Sequence, residues 1–236
     1  MTAWNDFLAE VRDAERSLGS PHEVWYRGHS DFAWSLTPSL LRETDWERKE
    51  KELFREFTKT ASRLFEKRNN DWEILFDMQH YWLPTRLLDW TTVLGVAIAF
   101  ILHSGYSDEN DSALFVLNPE KLNRLSGRDI INLPEEKGFE YQTLYWANNP
   151  IKIEKPLAIR PTQQSDRLRA QNGVFTVHGT LESGFENTAS NTFKKIILSS
   201  AAKSDARDFL KWANLDEYTI YPDIVGMARH IKSKIL

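Results

Sequence analysis

Ten consecutive residues, Val93-Leu-Gly-Val-Ala-Ile-Ala-Phe-Ile-Leu102, limit what this chain can be more than any other stretch. As a helix they are apolar on nearly every face, and such a helix needs cover all round. The run is too short to span a bilayer as a helix, which takes about 20 residues. It therefore predicts a helix buried inside a globular domain, with the rest of the chain arranged around it. The chain can supply that cover: of its 236 residues 41% are hydrophobic and 27% charged, the balance of a folded domain.

Either side of the run the periodicities differ. Trp4, Leu8, Val11 and Leu18 mark a helix that Gly19 can stop, and Val24 to Arg27 reads as a short strand. Leu53, Phe54, Phe57, Ala61, Leu64 and Phe65 line one face of a long helix between Asp45 and Arg68, which Asn69, Asn70 and Asp71 break. Asp71 can cap the next helix, through Gln79 and His80. Pro84 ends it, Arg86 to Trp90 is extended, and Thr91 or Thr92 can cap the apolar helix through His103. Residues 105–111 form a solvated loop. Beyond them SALFVLN, RDIINL, KPLAIRP, GVFTVHG and KKIILSS are short β-rich runs bounded by turn residues. Ser199 to Asn214 and Tyr221 to Ile235 close the chain as helices. Helices gather toward the N-terminal half and short mixed or antiparallel strands toward the C-terminal half. This predicts an α+β fold in a single domain over residues 1–236.

Composition narrows the functions. A net charge of −4 and no basic stripe argue against general nucleic-acid binding. The absence of cysteine excludes disulfides, thiolate zinc sites and a cysteine nucleophile. Histidines 22, 29, 80, 103, 178 and 230 lack metal-site spacing, so no metal is expected. No phosphate-binding glycine loop, G-x-S-x-G or H-E-x-x-H motif is present. The N-terminus, MTAWNDFLAEVRDAERSLG, carries acids and no apolar core, unlike a signal peptide. A cytoplasmic protein with no membrane partner is the expectation.

Three stretches carry polar groups worth weighing. In Val24-Trp-Tyr-Arg-Gly-His-Ser30 an arginine ends an aromatic strand and glycine follows, so a ligand could approach the backbone and Arg27 could grip a phosphate or carboxylate. An isolated arginine there more often ties a strand end to a nearby carboxylate. In Gln79 to Asp89, a strand places Arg86 and Asp89 on opposite faces, so each needs its own partner if buried. Gln79 and His80 are candidates, and a structural polar network is as good a reading as a site. In Arg167-Leu-Arg-Ala-Gln-Asn-Gly-Val-Phe-Thr-Val-His178, Gln171 precedes a strand and can both donate and accept; alone, it reads as a turn residue.

Together, in order and spacing, the stretches resemble the FRG domain, a bacterial family named for an aromatic-Arg-Gly tripeptide. Here the tripeptide is Tyr26-Arg27-Gly28, followed by Trp34 and Pro38-Ser39-Leu40. The family segment QH-x-G-x-PTRLLDWT is matched by Gln79, His80 and Pro84 through Thr91, with Trp82 where the family has glycine. Arg169-Ala-Gln171-Asn-Gly173-Val-Phe175 and Tyr221-Pro-Asp223-Ile-Val-Gly226-Met-Ala228 complete a resemblance over residues 20–232.

The layout is also similar to ADP-ribosyltransferases of the arginine-type clade: Arg27 first, Trp90-Thr91-Thr92 leading into a helix at Ala97 to Phe100, then Gln171 before Val174-Phe175. That similarity implies NAD as substrate, a macromolecular acceptor of ADP-ribose, and a toxin or antiphage effector. It places Tyr26, Arg27, Gly28, His80, Arg86 and Thr91 around the cofactor, with Arg27 on the phosphates and Thr91 near the nicotinamide ribose. Gln171 stands at the position of a catalytic glutamate. Glutamine keeps the hydrogen bond and lacks the charge, so the carboxylate would come from Asp89 or Asp166. Two other classes stay open: a non-catalytic recognition module, and a nuclease or other hydrolase built on Asp89, Asp166 and His80.

Overall fold

The computed structural model describes residues 2–61, 70–103, 108–133, 136–146, 155–162, 165–179 and 184–236. Among them seven strands form one sheet: β1 (Trp25–His29), β2 (Leu87–Thr91), β3 (Ser112–Leu117), β4 (Ile131–Asn132), β5 (Leu157–Arg160), β6 (Gly173–Val177) and β7 (Phe193–Leu198). Their order is β4-β5-β6-β2-β1-β3-β7, antiparallel throughout except for the parallel pair β4 and β5. The helices are α1 (Ala3–Ser17), α2 (Trp46–Ala61), α3 (Asp71–His80), α4 (Leu94–Leu102), α5 (Pro119–Arg124), α6 (Tyr141–Tyr145), α7 (Asp166–Ala170), α8 (Phe185–Thr188), α9 (Lys203–Trp212), α10 (Glu217–Ile220) and α11 (Ile224–Ile235). The α+β expectation holds as one mixed sheet. Helices and strands are more interspersed than expected, with β1 and β2 set among the N-terminal helices and α9 to α11 after the last strand. No helix among the described residues is long and apolar enough to cross a membrane.

The two-residue period of the strands sets the layers. Leu114 and Val116 of β3 join Tyr26, Ile196 and Leu198 in a core beneath α1, α4 and α9. On the same face, over the other half of the sheet, Leu87, Leu157, Ile159, Phe175 and Val177 pack with Phe54 of α2, Trp72, Leu75 and Met78 of α3, and Tyr141 of α6. Alternate residues, Trp25, Leu88, Trp90, Ala113, Phe115, Leu117, Ala158 and Val174, point to the opposite face and meet Leu36, Leu122, Phe185 and Phe193. Central β3 is buried at all its positions because both faces are covered.

The apolar run forms α4 and is buried as predicted. Its cap differs: Val93 is the N-cap without a side-chain bond, and the Thr91 hydroxyl accepts from the Val93 N–H at 3.0 Å. Likewise Asn70, not Asp71, caps α3, accepting from the Glu73 N–H. The expected continuation of α2 to Arg68 and residues 105–107 of the solvated loop lie outside the described residues. Helix α4 crosses β1 at Gly28, where a Cβ would lie 2.2 Å from the Ala97 carbonyl oxygen. The glycine thus serves helix packing, on the face opposite Arg27, and not the ligand approach expected of it. Gly28→Ala is expected to destabilise by about 1–3 kcal/mol through overpacking. A denaturant midpoint equal to that of the parent would contradict this.

Candidate functional site

The sheet is not uniformly laddered. Strand β1 pairs with β3 at five positions and β2 pairs with β6 at five, yet β1 and β2 share only Tyr26↔Thr91. Continuing that register would set Arg27 against Trp90 and Gly28 against Asp89. Instead the strands part, and the Arg27 guanidinium crosses the gap. Its Nη1 donates to the Asp89 carbonyl oxygen at 2.6 Å, and its Nε donates to His29 Nε2 at 2.9 Å. A side chain thereby satisfies a strand carbonyl that a neighbouring strand would otherwise serve.

Polar groups gather round this seam. The Asp89 carboxylate lies 3.8 Å from Arg27 Nη1; the two side chains are 48% and 20% exposed. Gln79, at the end of α3, donates to Asp89 Oδ2 at 2.6 Å and accepts from the Thr85 hydroxyl, which in turn accepts from the Leu87 N–H at 3.1 Å. Asp89 is therefore aimed by a relay of amide and hydroxyl and remains half open to solvent. Burial draws the Arg27 guanidinium down, and Asp89 opposes that shift.

Two imidazoles lie on the Arg27 face. His29 packs edge-on to Phe115, with ring centroids 5.0 Å apart. His178 Nε2 is 2.8 Å from the Thr176 hydroxyl, which accepts from Trp90 Nε1 at 3.0 Å. Burial first, then the Arg27 charge, pushes both histidines down to about 3. Both are neutral at pH 7, which suits a neighbouring guanidinium. Unfolded histidine titrates at about 6.5. Between about pH 6.5 and about 3 the unfolded chain takes up protons that the folded chain refuses, so stability falls as pH falls. Thermal melts should drop steadily from pH 6 to pH 4, at up to ~1.4 kcal/mol per pH unit for each histidine. A flat profile over that range would contradict the buried neutral pair.

The remaining expected site residues fall elsewhere. Tyr26 points to the α1 side of β1, where its hydroxyl donates to Glu15 at 2.6 Å, so it does not share a face with Arg27. Arg86 is 3% exposed and enclosed. Its Nε donates to Glu50 at 2.7 Å and to the Tyr141 hydroxyl at 3.0 Å, Nη2 pairs with the other Glu50 oxygen, and Nη1 donates to the His178 carbonyl at 3.0 Å. Tyr145 stacks 4.2 Å from its guanidinium carbon. Burial would lower Arg86; Tyr141 and Glu50 outweigh it and hold the guanidinium up. It is a core ion pair and not a phosphate ligand.

Thr91 is buried and engaged on both sides, accepting from Val93 N–H and donating to the Gln171 carbonyl at 2.6 Å. It joins β2 to α7 and is not free to place a ribose. Gln171 caps α7, and its Nε2 donates to the Ile220 carbonyl at 3.2 Å. His80 ends α3 beside Tyr81; burial and then Arg167 lower it, with Asp77 and Asp223 opposing. Asp166 is 81% exposed and 3.7 Å from Arg169, away from any described tie to Asp89. Among the described residues no group of three His, Asp or Glu side chains could hold a metal ion.

Glu50, Thr85 and Arg167 were not read from the sequence as participants. Glu50 sits on the charged face of α2, 36 positions from Arg86, and no local spacing links them. Thr85 and Arg167 belong to motifs that were read, TRLLDWT and RLRAQNG, and only the fold shows what they touch.

No curated protein and no solved structure matches the chain. The FRG domain family model, however, matches residues 22–110, which span β1, the Gln79–Thr91 segment and α4, so both edges of the seam lie within the stretch that is similar to that family.

Proposed function

We propose that the β1–β2 seam is a nucleotide site, that Arg27 takes the diphosphate of NAD or a related nucleotide, and that the reaction served is transfer of ADP-ribose to a macromolecular acceptor. The observation that carries the reading is Arg27 itself. Its guanidinium stands in the gap between two central strands, held by a carbonyl and a neutral imidazole, with the nearest carboxylate at 3.8 Å. Planar, multi-donor guanidinium suits bidentate phosphate recognition. The order of Arg27, then Trp90-Thr91-Thr92 leading into the helix at Ala97 to Phe100, then Gln171 before Val174-Phe175 is the layout on which the resemblance to ADP-ribosyltransferases rests.

In such a reaction the bond between nicotinamide and ribose breaks while the acceptor's nucleophile bonds to the ribose carbon, with positive charge developing at that centre. Asp89 is the carboxylate placed to face that charge: half exposed, beside Arg27 and aimed by Gln79. Gln171 supplies no charge, and its amide nitrogen already serves Ile220, so its part is to fix α7 against α10.

The test is nicotinamide release from NAD by the purified chain with bacterial lysate as acceptor, beside calorimetric NAD titration and the Arg27→Ala variant. Release that depends on Arg27 supports a transferase and directs attention to an effector role; absence of both release and binding removes the reading. A second reading, a non-catalytic recognition module, is favoured by one observation: Thr91 and Gln171 are both committed to the fold. Arg27-dependent NAD binding without release would favour it.

A further inference from the structure

Trp82 occupies a position where its side chain works against folding. Helix α3 ends in a turn in which the Trp82 N–H donates to the Gln79 carbonyl at 3.1 Å and the Leu83 N–H reaches back to Met78 at 3.0 Å. That bonding pattern requires a left-handed residue, usually glycine, at the position Trp82 fills. Its φ is indeed +61°, unfavourable for a bulky residue. Burial does not compensate, because Trp82 is 71% exposed. Strain held in an exposed aromatic ring points toward recognition and away from packing.

The surroundings say what would be recognised. The Arg167 guanidinium carbon lies 5.8 Å from the Trp82 ring centroid and 4.8 Å from that of Tyr221, an arginine steadied by two rings. Among the described residues Arg167 makes no ion pair. The group is continuous with the seam: Gln79 both opens the Trp82 turn and holds Asp89, which faces Arg27. Arg167 and Gln171 belong to one short helix with its cap, and Gln171 bonds the residue preceding Tyr221.

We infer that Trp82 is the stacking platform for the planar base of a nucleotide, and that Arg167 takes a phosphate on the same ligand. This rests on reading the seam as a nucleotide site and adds where the base lies. A tryptophan face stacks on any nucleobase, and removing such a contact weakens binding by about tenfold or more.

The test uses the full chain, titrated calorimetrically with AMP, ribose 5-phosphate and NAD, in the parent and in Trp82→Gly, Trp82→Phe and Arg27→Ala. The parent should bind AMP about tenfold tighter than ribose 5-phosphate. Trp82→Gly should melt at or above the parent temperature, because glycine relieves the left-handed position, and should lose the preference for AMP. Trp82→Phe should keep it. A folded Trp82→Gly protein that still prefers AMP overturns the inference and leaves Trp82 as a structural stack on Arg167. NAD affinity that falls with Arg27→Ala but not with Trp82→Gly overturns it while the seam reading stands. No binding of any of the three probes overturns both.

Discussion

If the proposed nucleotide site is right, replacing Arg27 by alanine should lower NAD affinity by at least ~100-fold, the scale expected when one partner of a desolvated, hydrogen-bonded charge pair is removed. The guanidinium is enclosed enough for its charge to count, and Arg86 cannot stand in for it, since Arg86 is closed inside the core. Arg27 also bridges the seam, so alanine costs stability as well, about 1.5–3 kcal/mol for the lost bond to the Asp89 carbonyl. The two effects separate experimentally: a melting curve locates the folded range, and titration well below it reads affinity alone. Arg27→Lys should restore charge and only part of the affinity, because an ammonium cannot reach His29 and Asp89 in the same planar fork. Unchanged affinity in a folded Arg27→Ala protein would falsify the nucleotide site.

A larger loss of stability is expected at Glu50. Its carboxylate accepts from Arg86, from the Tyr141 hydroxyl and from Trp146 Nε1 at 3.0 Å, and thereby ties α2 and α6 to the start of β2. Glu50→Ala leaves the Arg86 cation buried without its anion, at about 3–5 kcal/mol. That is a large share of the 5–15 kcal/mol that holds a typical domain together. Arg86→Met combined with Glu50→Leu removes both charges, fills much of the space and should recover most of the loss, since a buried pair contributes little net against apolar packing. Urea midpoints of the two single variants and the double variant measure the coupling. Near-additive losses would contradict a closed ion pair.

Much of the framework was legible because the physical signals are local. The apolar run could only be a covered helix, and short β-branched stretches bounded by turn residues became β3, β5, β6 and β7. The need of Asp89 for a partner, with Gln79 as candidate, followed from the extended backbone at Arg86–Trp90, and the fold supplies that bond. What escaped was parity and distance. Tyr26 and Gly28 were grouped with Arg27 through the family tripeptide, although a strand sends 26 and 28 to one face and 27 to the other. The Arg86–Glu50 pair joins a strand edge to a helix whose charged face reads as solvated. Helices α5 to α8 have four to six residues each, too short for a 3.6-residue period to show. Trp82 was noticed only as a substitution for glycine, and the reason glycine belongs there is the left-handed turn at the end of α3.

The single pair Tyr26↔Thr91 leaves the tie between β1 and β2 largely to side chains. Ladders of five and six pairs tie β1 to β3 and β3 to β7, and a ladder of five ties β2 to β6, so two fully laddered halves meet at a single backbone pair. The Arg27 guanidinium bridges that junction through its bond to the Asp89 carbonyl. On the proposed nucleotide site, an anion that drew Nη1 off the Asp89 carbonyl would release that bridge as it docked, and filling the seam would then loosen the tie between the two ladders. Linkage would then run both ways: a partner that held the two halves together from outside would set how readily the seam is filled.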